Sequence, residues 1–185
     1  VPRNDEAQRR LRRCCYFSKL PFQHHSAGLD DAALDVEGRV LTAEFGRVIL
    51  VGVYAPNAGK SFELKTLPKR MKFDAALRNH VAKLRSRKPV VVLGDMNVVL
   101  EPHYVAEGLS HSKYDRHPGC TSEERLNAAA FLRDCQLIDL QGHEGVEGFT
   151  FRPSFESVST MRLDYAFPSA ELVQSGQVWG FEFLK

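Results

Sequence analysis

The run PVVVL at residues 89–93 constrains the fold more than any other stretch of the chain. It is short, continuous and rich in β-branched side chains, the mark of a strand covered on both faces. Upstream, Leu67, Met71, Leu77, Val81 and Leu84 recur at mostly three- and four-residue steps with Lys and Arg between them. That spacing predicts an amphipathic helix from Leu67 to Arg87, ending before Pro89. Earlier still, GRVLTAEF (38–45) and RVILVGVY (47–54) read as a hairpin of buried strands turning at Gly46, and APNAGKS then breaks the pattern as a loop. Strand, loop, helix, strand is an α/β arrangement.

With 185 residues, 43% of them hydrophobic, the chain can bury one substantial core. One domain is expected, over 17–185, behind a basic N-terminal segment over 1–16. A formal net charge of +2 gives no global field that would advertise a nucleic-acid binder, although a local patch still can. Cys14 and Cys15 are adjacent, Cys120 and Cys135 lie far off, and no CxxC spacing occurs. That suits free thiols in a reducing compartment better than a disulfide framework or a zinc site. No apolar run approaches the roughly 18 to 20 residues that span a bilayer, and the start lacks a secretory apolar core. The chain opens at Val1 without an initiating methionine, so the sequence is processed, engineered or a piece of something longer. Arg9, Arg10, Arg12 and Arg13 read either as a solvated helical turn or as the remnant of a mitochondrial targeting region.

A long polar stretch from Glu101 to Gly119 exceeds an ordinary connection and is expected to be functional or mobile. Thr121 with Glu124 three residues on forms a capping box, opening a helix TSEERLNAAAFLRDC whose apolar face includes Leu126, Ala130, Phe131 and Leu132. GFTFR, MRLDYAF and GQVWGFEFL are three more strand-like pieces.

Three places carry chemistry. In VVVLGDMNVV, Asp95 and Asn97 stand where a buried strand gives out into a loop, a carboxylate and an amide able to orient water and meet a phosphate oxygen or metal; Gly-Asp-x-Asn is also good turn chemistry. In YAPNAGK, Tyr54 and Asn57 end another apolar strand, where phenol and amide can bind phosphate and Lys60 can add charge, or where Pro56 and Gly59 simply make a turn. In RLDYAF, Asp164 alternates within an apolar strand, where an unpartnered carboxylate is costly to bury. It needs Arg162 as an ion pair, or a histidine or metal.

Taken in order, YFSKLPF, EGRVLTAEF, LVGVYAPNAGK, SRKPVVVLGDMNV, TSEERLNAAAFL, FTFR and MRLDYAF resemble the endonuclease/exonuclease/phosphatase superfamily, specifically the apurinic/apyrimidinic (AP) endonucleases of the exonuclease III type. The resemblance runs from about Phe17 to the C-terminus. It implies an α/β (α+β) fold of two packed β-sheets flanked by helices, and Mg²⁺-dependent hydrolysis of a phosphodiester beside an abasic site in DNA. Asp95 would orient or deprotonate the attacking water, general-base work that needs hydrogen-bond reach. Asn97 would help hold phosphate or metal, Tyr54 and Asn57 would contact the scissile phosphate, and Asp164 would orient a histidine, as a carboxylate does in a hydrolytic triad. Phe151 would line the substrate pocket, and Lys113 and Arg116 stand in the place of a DNA-contacting loop.

The chain also departs from the pattern. The family's metal-binding glutamate and an asparagine belong to an N-terminal region with no counterpart before Cys15, and no Ser-Asp-His follows the last strand. Arg152 and Met161 stand where these enzymes usually carry tryptophans. His24, His25, His80, His103, His111, His117 and His143 fall elsewhere in the pattern, and a solvated role is expected for each. The leading expectation is therefore an AP-endonuclease-like domain that has lost catalysis and serves as a structural or interaction component of a larger assembly, with other protein subunits covering an incomplete sheet. The alternative is an active Mg²⁺-dependent AP endonuclease. A mitochondrial or nuclear location follows from the resemblance, with the arginine-rich start favouring the mitochondrion.

Overall fold

The computed structural model describes residues 14, 18–31, 33–59, 62–105, 114–152 and 160–178. The arginines at 9–13, Cys15, Lys60, His111 and Lys113 lie outside the described residues, as does the expected last strand from residue 179 on. Five strands, β1 (His24–Ala27), β2 (Val40–Glu44), β3 (Ile49–Tyr54), β4 (Val90–Asp95) and β5 (Asp164–Pro168), form one sheet in sequence order. β2 and β3 are the expected hairpin, antiparallel with Glu44 opposite Ile49 and closed by Phe45 N–H on the Val48 carbonyl at 2.9 Å. β3 and β4 run parallel, which requires a crossover. The crossover is α1 (Leu67–Arg85), so the strand, loop, helix, strand reading holds. β5 returns antiparallel on β4.

The α/β class is as the sequence implies; among the described residues one sheet is formed, with Val105–Met161 and Phe151–Met161 as isolated bridges beside it. The register assigns residues to faces. Ile49, Val51, Val53, Val90 and Val92 are fully buried or nearly so and share a core with Phe73, Leu77 and Val81 of α1. Leu50, Val91 and Leu93 project from the opposite face and are only half-buried. The expectation that PVVVL is covered on both faces is thus corrected: the helix covers one, and the valines alternate in burial at the strand period of two.

Two more expectations change. His80 is not solvated: it lies on the buried side of α1, with its ring nitrogen 3.0 Å from Thr42 Oγ1, and burial pushes its proton affinity below the usual histidine range. The second long helix, α2 (Ser122–Asp134), opens with both halves of the predicted capping box. Its inward stripe is Glu124, Ala128, Phe131 and Cys135, at steps of four, three and four. Leu126 follows Glu124 by about 200° of helical rotation at about 100° per residue, and it is 70% exposed instead of packed. Two short helices, α3 (Leu140–His143) and α4 (Ala170–Gln174), flank β5. No described helix is long and apolar enough to cross a membrane.

Candidate active site at the ends of three strands

The site begins as a row. Tyr54 is the register partner of Asp95 across β3 and β4, and Asp95 is the partner of Asp164 across β4 and β5. Directly opposed residues project from the same face of a sheet. All three therefore stand on the face away from α1, in line at the sheet's end.

Gly94 makes that row possible. Its φ is +130°, and a Cβ there would lie 2.1 Å from the Val53 carbonyl oxygen, so a side chain would push β4 off β3 immediately before Asp95. Beyond Asp95 the chain turns through Asn97 at φ 47°, a left-handed position that asparagine tolerates. Asn97 N–H donates to Asp95 Oδ1 at 2.8 Å. The turn reading and the functional reading of Gly-Asp-x-Asn are thus compatible, because the turn aims the carboxylate.

Asn97 is buried and its amide is committed inside the protein: Nδ2 donates to the Ala55 carbonyl at 2.8 Å and to Asp95 Oδ2 at 3.3 Å, while Oδ1 accepts from Asn57 Nδ2 at 3.3 Å. Asn57 is half-buried, and its Oδ1 accepts from Gly59 N–H at 2.9 Å. Among the described residues Asn57 Nδ2 makes the one bond to Asn97, so Asn57 is the better placed of the two amides to meet a phosphate oxygen.

Burial pushes the Asp95 carboxyl up to about 6, and the charge of Asp164 across the β4–β5 pair pushes the same way. The Asn97 N–H and the guanidiniums of Arg70 and Arg39 oppose the shift without cancelling it. A carboxylate poised there is unprotonated at neutral pH and more basic than an ordinary aspartate, which suits a general base.

Asp164 is held by its backbone. Thr150 Oγ1 accepts from both Leu163 N–H and Asp164 N–H at 3.0 Å, and Gln141 Nε2 donates to the Asp164 carbonyl at 3.1 Å. The expected ion pair with Arg162 does not form. Arg162 is buried, turned onto the Gly148 and Val146 carbonyls, with its guanidinium 4.0 Å from the Tyr104 ring centre. Among the described residues no histidine hydrogen-bonds Asp164.

Of the other expected contacts, Phe151 is exposed and bridged to Met161, three residues before Asp164. Arg116 is exposed in the turns before α2. Two residues that sequence reasoning passed over support the row. Arg39 caps the end of β3, donating from Nη1 to the Tyr54 carbonyl at 2.9 Å with its guanidinium 5.2 Å from the Tyr54 ring centre. Thr150 anchors Asp164, and its only sequence signal is its place in FTF. A cavity of about 600 Å³ lined by Tyr104, Leu132, Asp139, His143 and Arg162 includes none of Tyr54, Asp95 or Asn97.

Oxygen donors suit a hard cation such as Mg²⁺. The row offers only the two carboxylates Asp95 and Asp164, and among the described residues no three His, Cys, Asp or Glu side chains gather to hold a metal. These residues do not by themselves make a Mg²⁺ site.

Comparison with known proteins gives the chain a family and a fold likeness. The sequence profile described as the Endonuclease/Exonuclease/phosphatase family matches residues 5–184. The chain is 36% identical over 109 residues to Recombination repair protein 1 of Drosophila melanogaster, covering 59% of this chain and 15% of that protein. It is 32% identical over 162 residues to the DNA-(apurinic or apyrimidinic site) endonuclease of Dictyostelium discoideum, covering 83% of this chain and 44% of that one. The chain therefore spans less than half the length of these curated relatives. Among solved structures, the 3' phosphatase NExo from Neisseria bound to a product DNA hairpin superimposes with a TM-score of 0.72 at 22% identity, covering 83% of this chain and 61% of that one. At that identity the likeness is one of fold.

Proposed function

The chain belongs to the endonuclease/exonuclease/phosphatase family, and from that premise we propose that it supplies the water-activating half of a phosphodiester-cleaving site of AP-endonuclease type, acting on DNA at abasic sites. The observation that carries the reading is the row Tyr54, Asp95, Asp164, with the Asp95 carboxyl raised to about 6. Asp95 takes a proton from the attacking water as the water oxygen bonds to phosphorus and the bond to the leaving sugar oxygen breaks. Tyr54 and Asn57 contact the phosphate, Asn97 holds Asp95 and Asn57 in place, and Asp164 orients a histidine supplied by residues other than those described. If bound, Mg²⁺ would neutralise phosphate charge, and it would need ligands in addition to Asp95 and Asp164. Lys60, Lys113, Arg116 and Phe151 complete the substrate contacts in this reading, and the protein works in the mitochondrion or the nucleus.

A second reading rests on Arg152 and Met161. Met161 is 1% exposed within the bridges to Val105 and Phe151, so it packs as core at a position where the resembling enzymes carry a tryptophan. An inactive domain of this kind would act as an interaction component of a larger assembly.

The natural full-length protein, incubated with Mg²⁺ and an abasic-site duplex, separates the two. Under the first reading the duplex is cut, and Asp95→Asn lowers the rate by about 10²- to 10³-fold, the usual cost of one preorganised group. No cutting by the unmodified protein overturns it in favour of the second.

A further inference from the structure

Arg70 lies in the first turns of α1, 2% exposed, and its guanidinium spans the two loops that build the site. Nη1 donates to the Pro56 carbonyl at 2.9 Å and the Asn97 carbonyl at 3.1 Å, and Nη2 donates to the Met96 carbonyl at 2.7 Å. Pro56 belongs to the loop after β3, Met96 and Asn97 to the loop after β4. A purely structural account would have Arg70 buried for its ion pairs. Those pairs are partial: Nε donates to Asp74 Oδ1 at 2.7 Å, one turn along the same helix, while Glu124 Oε1 stays 3.8 Å away and has no hydrogen-bond partner. Three of the four close bonds go to the loops, and only a planar, multiply donating group meets carbonyls from two directions at once.

We propose that Arg70 is a positioning residue: by tying the carbonyls of Pro56, Met96 and Asn97 to one guanidinium, it fixes the separation between the phosphate-contacting Asn57 and the water-activating Asp95. The proposal rests on the phosphodiester-cleaving reading for its kinetic consequences. Its structural consequence stands apart. Without the clamp, the described residues leave the two loops joined by the 3.3 Å Asn57–Asn97 bond, the 2.8 Å bond from Asn97 Nδ2 to the Ala55 carbonyl and the 2.8 Å bond from Ala55 N–H to the Asp95 carbonyl.

Arg70→Lys in the natural full-length protein keeps the charge opposite Asp74 and removes the spread of donors. Amide hydrogen exchange at residues 55–59 and 96–97 should then quicken by about tenfold while the β3 ladder amides hold their rates, as expected of a local opening. With the abasic-site duplex, kcat should fall by about 10²-fold, the scale of a small misplacement of reacting groups, while KM stays within about threefold. Guanidinium ion added to Arg70→Ala should restore part of kcat. Unchanged loop exchange, or exchange that quickens equally throughout the sheet, overturns the proposal, as does a kcat that falls only in proportion to folded protein. If the unmodified protein does not cut the duplex, the functional reading fails and the exchange result alone decides the role of Arg70. If Arg70→Lys does not fold, Asp74→Ala, which removes the acceptor that holds Nε of the guanidinium on its own helix, must loosen the same amides for the proposal to survive.

Discussion

The two faces of the five-stranded sheet, as β3 and β4 present them, do different work. Toward α1, Ile49, Val51, Val90 and Val92 have no exposed surface and pack on Phe73, Leu77 and Val81. On the opposite face, Leu50, Val91 and Leu93 are half-buried and lead directly to Tyr54 and Asp95. Because side chains alternate along a strand, one short run such as VVVLGD carries both sets, and the strand that anchors the core also carries the reactive carboxylate to the sheet's end. Stability is concentrated on the helix face. The other face keeps a half-buried carboxyl, Asp95, that burial pushes above the usual aspartate range.

The largest expected effect lies on the helix face. Phe73→Ala in the natural full-length protein should lower unfolding free energy by about 3–5 kcal/mol, as other buried phenylalanines do, in denaturant titration, and leave the Asp95 carboxyl titrating where it did. If the Asp95 carboxyl shifts with it, the two faces are not separable. Gly94→Ala tests their junction: with φ at +130° and a carbonyl oxygen 2.1 Å from the new Cβ, strain of about 2–3 kcal/mol should appear as lost stability together with displaced Asp95.

Asp95→Asn should act in the opposite direction. In the folded protein Asp95 keeps its proton up to about pH 6, whereas the unfolded chain releases it near 3.8. Between those values the native state binds more protons, so stability falls as pH rises through the window and stays lowered above it. The asparagine variant should therefore be more stable by about 1–2 kcal/mol above pH 6, after allowance for solvent at a half-buried group, with no gain below about pH 4. A loss of stability at neutral pH would contradict the raised carboxyl. Smallest, Leu93→Ala on the half-buried face should cost about 1 kcal/mol, a fraction of full leucine burial. A cost as large as that of Phe73→Ala would show that another segment covers that face in the whole protein.

What the sequence revealed follows the same division. The hairpin over 38–54, the crossover helix from Leu67 and the β4 strand are legible because apolar spacing reports directly on which side chains leave water. Capping at Thr121 is legible because its chemistry is local. Polar residues that turn inward are not. His80 meets Thr42, 38 residues away, and Arg70 takes carbonyls 14 to 27 residues distant, so nothing near either one marks it as buried. Arg162 misleads for the same reason: its neighbour Asp164 is the obvious partner, yet distant backbone carbonyls and the Tyr104 ring take its guanidinium. Leu126 misleads in reverse, an apolar residue two positions past a buried glutamate and on the wrong side of its helix. Tyr54, Asp95 and Asp164 were readable one by one as strand-end chemistry, but that they form a single row is a fact of register.

On the face away from α1, Asp95 stands as a poised base, raised by burial and by Asp164. The most direct test is the titration of the Asp95 carboxyl carbon by NMR in the full-length protein, with and without Asp164→Asn. An apparent pKa of about 6 in the unmodified protein, moving downward in the variant, is the expected result. A carboxyl that titrates near 3.8 in both would contradict the account.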